Sequence, residues 1–256
     1  MTLPFGETAA LVLLESATRI LPLAEGGHAA LLGMLADVEV TRGLASSVAA
    51  GTWLAMVIVF RARIASSLRE IAGTSAGHDA RVVGLGSVAM VLVELAVRDR
   101  VASWGHEPML VGAGWLVTAA AVASTLWAPR GSRDTLTLAG ALLVGAVEGA
   151  GILPGLSQTG LALACLLWLG MRDIAAFEAC FLLMIPAEAV LAAVRLRDLR
   201  DVASWPSLAR VALSLGAGFV VLRLLRGALA RRLLPAFSLY LVPLGVATIA
   251  WGYARP

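Results

Sequence analysis

Long apolar runs alternate with short polar segments along this chain. Runs at 44–60, 82–97, 109–127, 175–194, 207–225 and 235–251 are apolar all round and approach the length that crosses a bilayer. They predict about six full crossings. Two further apolar stretches are interrupted. One, at 8–36, contains Pro22 and then Glu25-Gly-Gly-His28; the other, at 135–169, contains Pro154-Gly-Leu-Ser-Gln-Thr-Gly160. Proline removes a backbone donor and glycine relaxes the chain, so each stretch predicts a helix broken within the apolar region. The first break is expected at 22–27. The second starts at Pro154, with helix resuming at Leu161. Residues 161–169 are too few to cross alone, so they read as the return arm of a re-entrant pair.

Both interrupted stretches set a glutamate before Ile-Leu-Pro: Glu15 before Ile20-Leu-Pro22, and Glu148 before Ile152-Leu-Pro154. Broken hydrophobic segments at corresponding places in two halves point to a midplane site built from inverted repeats. The expected fold is therefore all-α: a polytopic integral membrane protein with two re-entrant broken-helix hairpins. A single membrane domain would cover 1–256, with repeat 1 at about 1–134 and repeat 2 at about 135–256.

Composition supports the membrane reading. Of 256 residues, 59% are hydrophobic and 14% charged, less charge than a soluble domain of this length carries. The net charge of +3 comes from arginine, with no lysine present. The arginines cluster between apolar runs, so they read as topology signals and lipid-headgroup contacts rather than a nucleic-acid surface. Residues 61–81, with four arginines, read as a cytoplasmic loop, and 226–232, with three arginines and no acid, as another. Residues 98–108 are charge-balanced, which fits the opposite side, 195–205 read as a surface loop, and 37–42 as a polar connection. His78 is expected to be solvated, Trp53 to pack, Glu94 to snorkel or find a loop partner, Pro186 to kink its helix, and Tyr240 and Trp251 to anchor at the interface. Cys165 and Cys180 read as buried packing residues. The N-terminus shows no pattern of a removable signal peptide.

The breaks carry the candidate chemistry. Broken helix is tolerated in a bilayer only where protein or a water-filled cavity satisfies the released backbone groups. New helix N-termini present N–H donors and partial positive charge, which suits phosphate. Gly155, Ser157, Gln158 and Thr159 are the candidates around the second break; Glu15, Arg19, Glu25 and His28 are those around the first.

These residues resemble the undecaprenyl-diphosphate phosphatase family of the bacitracin-resistance type. The family's first motif, Glu-Gly-x-Thr-Glu-Phe-Leu-Pro-x-Ser-Ser-x-Gly-His, matches at Glu15, Thr18, Leu21, Pro22, Gly27 and His28. Its second, Pro-Gly-x-Ser-Arg-Ser-Gly, matches at Pro154, Gly155, Ser157 and Gly160. The stretches 169–173, 181–186 and 235–240 also look like family segments. The resemblance implies a glutamate pair with a divalent cation (magnesium or calcium), a serine or histidine for attack, and an arginine holding the diphosphate. Among the departures, Thr159 replaces a serine, and four fall on the charged and hydroxyl groups of the chemistry. Arg19 stands for the second glutamate, Ala24 and Glu25 for the paired serines, and Gln158 for the arginine.

Two functions follow as expectations. One is a hydrolase removing the terminal phosphate from a long-chain polyprenyl diphosphate, in lipid-carrier recycling for cell-envelope synthesis. In it Glu15, Glu25 and His28 are catalytic, Glu15 is also the metal ligand, and Arg19, Gly155, Ser157, Gln158 and Thr159 hold phosphate. Arg19 would restore across the site the charge lost at Gln158. The other is an inactive binder or translocator of polyprenyl phosphate or another anionic lipid, with Arg19 neutralising Glu15, Glu25 or Glu148. Glu148 either faces the cavity or packs. The expected setting is the inner (plasma) membrane, the partners a polyprenyl lipid and, as an option, a second copy of the chain.

Overall fold

The computed structural model describes residues 5–36, 41–72, 77–105, 107–194 and 205–254. Among the described residues ten α-helices follow in order: α1 Phe5–Ile20, α2 Glu25–Ala36, α3 Arg42–Ala72, α4 His78–Trp104, α5 Pro108–Ser124, α6 Leu138–Ala150, α7 Gln158–Trp168, α8 Asp173–Val194, α9 Trp205–Ala230 and α10 Ser238–Ala254. A 3-10 turn, Leu234–Phe237, precedes α10. Five segments, within α3, α4, α8 and α9 and from Leu234 through α10, are long and apolar enough to cross a membrane. The protein is an all-helical, polytopic membrane protein. The sixth expected crossing, at 109–127, is the 17-residue α5, opened by a proline at its first position, where the missing donor is harmless.

Several expected loops are helix. α3 continues from the apolar run through Ala72, α4 through Trp104 and α9 through Ala230. Polarity marks where a segment leaves the apolar layer, not where its backbone hydrogen bonds stop. Arg63, on the extension of α3, pairs with Glu178 of α8 at 3.1 Å. His78 is not simply solvated, because its Nε2 lies 2.8 Å from the Leu136 carbonyl just before α6. The expected surface loop at 195–204 and most of the connection at 37–42 lie outside the described residues.

Pairings exchange between the halves. α4 packs on α6 as α9 packs on α1, α3 packs on α9 as α4 does on α8, and α5 packs on α10. The crossing of α4 and α6 is close, with Gly86 and Gly145 backbones in contact. The main core draws Ile20, Met56, Met90, Trp115, Leu163, Phe177, Phe181 and Leu222 into one buried cluster from both halves.

The two hairpins enter from opposite ends. Residues 128–134 and 170–173 are zipped side by side: Arg133 N–H donates to the Gly170 carbonyl, Arg172 N–H donates back to Arg133, and the Arg172 and Asp134 side chains pair. Both outer ends of α6–α7 are thereby held at one end of the bundle. α1 runs alongside α3 in the same sense, Val12 packing on Leu44 and Val48, and Ile20 lying near Ala55 around Gly218. Its break therefore comes deep in the bundle, approached from the other end. α8 crosses between them. Pro186 lies inside it, and neighbouring carbonyls are claimed from the side: Ser87 Oγ donates to Leu183 (2.7 Å) and Trp53 Nε1 to Ile185 (2.9 Å). Trp53 thus does more than pack.

Candidate active site between two broken helices

The first break is shorter than expected, residues 21–24, with α2 starting at Glu25. Ala24 reverses the chain with φ +62°, a conformation costly for a residue with a Cβ. Its carbonyl then serves α2, accepting from the N–H of Gly27 (3.2 Å) and lying 3.0 Å from His28 Nδ1. A carbonyl only accepts, so Nδ1 carries the proton and the Nε2 lone pair faces the Tyr240 hydroxyl at 2.8 Å. Tyr240 is therefore no interfacial anchor alone. It stacks on His28 from α10, and Trp115 of α5 meets the same ring edge-on at 5.4 Å.

On α1, Glu15 and Arg19 are one turn apart and share a face. Glu15 is buried. Arg19 Nη2 contacts Glu188 Oε1 of α8 at 2.7 Å, both side chains 14% exposed. Glu188, an acid that the sequence places in a span but does not tie to the site, is thus a pairing partner of Arg19. Glu25 begins α2, but its side chain lies outside the described residues.

The second break spans 151–157, and helix resumes at Gln158, three residues earlier than expected. Gly155 adopts φ +80° and sits against α5, where a Cβ would collide with the Val111 carbonyl and Gly114. Thr118 of α5 latches this turn: its Oγ donates to the Gly155 carbonyl and accepts from Ser157 N–H, both at 3.1 Å. Ser157 Oγ in turn accepts from Gly160 N–H and caps α7. Gln158 Nε2 lies 3.4 Å from Glu94 Oε2. Glu94 does not snorkel but is buried, and Glu148 is fully buried, accepting from Cys180 Sγ at 3.4 Å.

The two breaks touch. Thr159 Oγ donates to the Arg19 carbonyl at 3.4 Å, and Pro22 lies against Gly160. Trp115 and Gly114 on α5 contact the first and second break respectively. Arg19 and Thr159 are thus brought together directly, with His28, Gly155 and Ser157 joined to them through α5. Among the described residues, no three His, Cys, Asp or Glu side chains gather as a metal-binding group.

The sequence has counterparts among known proteins. A family model described as bacitracin resistance protein BacA matches residues 8–247. A Korarchaeum cryptofilum protein named undecaprenyl-diphosphatase is 27% identical over 254 residues, covering 94% of this chain and 96% of its own. Proteins of the same name from Rhodopirellula baltica (30% identical, 81% of this chain and 80% of the relative) and Magnetococcus marinus (29% identical, 94% and 97%) are similar over most of their lengths. With the family model spanning almost the whole chain, this protein belongs to the bacitracin resistance BacA family.

Proposed function

We propose that this chain is a membrane hydrolase that releases the terminal phosphate of a long-chain polyprenyl diphosphate. The observation that carries the reading is the contact between the two broken helices, Thr159 to Arg19 and Gly160 to Pro22, in a chain whose near-full-length relatives are named for that hydrolysis. Water adds to the terminal phosphorus, the bridging P–O bond breaks, and inorganic phosphate and polyprenyl phosphate result. His28 takes the proton from water at Nε2, the nitrogen whose lone pair the Tyr240 hydroxyl otherwise occupies. Arg19 supplies the cationic stabilisation that a neutral Gln158 cannot, with Gly155, Ser157, Gln158 and Thr159 lining the phosphate. Glu15 orients the Arg19 face of α1.

A magnesium or calcium ion would draw on Glu15 and Glu25. The described donors alone do not make a metal set, so no step is derived through a cation. The setting proposed is the inner (plasma) membrane, multi-pass, with a homodimer as the assembly.

The test is purified protein given undecaprenyl diphosphate with magnesium or calcium, beside an active relative. Phosphate release that is lost in His28→Ala is expected. Tight lipid binding with no release would instead make the chain a carrier.

A further inference from the structure

Trp115 is fully buried where the two breaks approach each other, and its indole N–H has no hydrogen-bond partner among the described residues. Such a group is a donor and nothing else, so only an acceptor can satisfy it. Leaving a buried donor unmade costs stability, and folded proteins rarely tolerate this without a use for the group. The edge of the ring that bears Nε1 lies against Gly27, where even a Cβ would come within 2.7 Å of that nitrogen. Gly27 belongs to the first turn of the 12-residue α2; its N–H and that of His28 donate to the Ala24 carbonyl, and the turn carries the partial positive charge of a helix N-terminus. His28, edge-on to the same indole, adds an ionisable ring. A buried donor without an acceptor thus faces the N-terminal turn of a helix, while the polar groups of the second break are engaged in holding that turn together. A ligand rich in acceptors and lacking donors is the complement, and a phosphate oxygen is one.

We propose that Trp115 Nε1–H donates to a phosphate oxygen of the lipid diphosphate held at the first turn of α2, which makes Trp115 a binding residue for the reaction proposed above. The inference rests on that reading for the identity of the ligand. It also accounts for α5 at this point of the fold: the helix whose Thr118 secures the second break presents Trp115 to the first.

The test uses the full chain in detergent micelles with ¹⁵N-labelled tryptophan, the Trp115 indole signal being assigned from Trp115→Phe. The probe is a prenyl methylenediphosphonate, whose bridging carbon resists hydrolysis. The expected result is a saturable downfield movement of the Trp115 indole proton. Replacing Trp115 by benzothienylalanine, which keeps the ring shape and lacks the N–H, is expected to raise the probe's Kd about tenfold. Its ligand-free melting temperature should stay level or rise, because an unmade donor has been removed. A Trp115 signal that stays still at high probe concentration overturns the proposal, as does an isostere that binds equally well. Phosphate release with an unmoved Trp115 signal would defeat this inference and keep the hydrolase; a moving signal without release would do the reverse.

Discussion

The two breaks solve the same problem in different ways. Each must satisfy backbone groups released inside an apolar bundle. The second spends its polar residues on itself and its neighbours: Ser157 caps α7, Thr118 clamps Gly155 and Ser157, and Thr159 reaches the Arg19 carbonyl. The first closes in four residues by way of the left-handed Ala24, and its side chains reach distant helices instead, Arg19 to Glu188 and His28 to Tyr240. The second is scaffold, and the first sends ionisable side chains beyond itself. Hydroxyls in a membrane break therefore serve the backbone before they serve a substrate, and charge is what remains for chemistry.

The largest expected effect is at Gly155. Gly155→Val meets both an unfavourable φ and the backbone of α5, so no monodisperse protein should survive extraction, which size-exclusion chromatography in detergent reads directly. Next comes Thr118→Val, which strips one acceptor and one donor from the clamp. At roughly 1–3 kcal/mol for each group left unmade, it should lower the melting temperature clearly while His28 keeps its environment.

Arg19 sharpens the contrast from the other side. Arg19→Met alone abandons Glu188 in a poorly hydrated site and should cost up to about 3 kcal/mol. Adding Glu188→Met should restore most of the melting temperature but not phosphate release, which is expected to stay about a hundredfold down. Recovery of both would make the pair structural and erase the distinction between the breaks. The smallest effect belongs to Ser157→Ala, worth about 1 kcal/mol of stability as a lost helix cap and a few-fold in turnover. Complete loss of turnover in a folded Ser157→Ala protein would move the chemistry to the second break.

Much of this was legible from residue types alone. Pro22 and Pro154 announce their breaks because a missing donor acts locally, and apolar runs announce spans for the same reason. Helix ends were less legible. Between Arg61 and Ala72 there is polarity but neither glycine nor proline, and a turn was read where the backbone simply continues. The part played by α5 was hidden altogether. An apolar helix offers no amphipathic face to single out Trp115 or Thr118, so their roles emerge only when both breaks are packed on it. Glu94 and Tyr240 meet Gln158 and His28 across separations of 64 and 212 residues, where no spacing rule operates. Glu188, 169 residues from Arg19, escaped for the same reason.

Two braces stand just before Pro186. A proline normally leaves a helix able to flex. Here Ser87 and Trp53 pin the carbonyls of Leu183 and Ile185 in the turn leading into the proline, so the turn of α8 that carries Glu188 starts from a fixed base, and Glu188 holds the Arg19 guanidinium from there. In the proposed reaction that positive charge is aimed during folding, and an arriving head group has no reorientation of it to wait for.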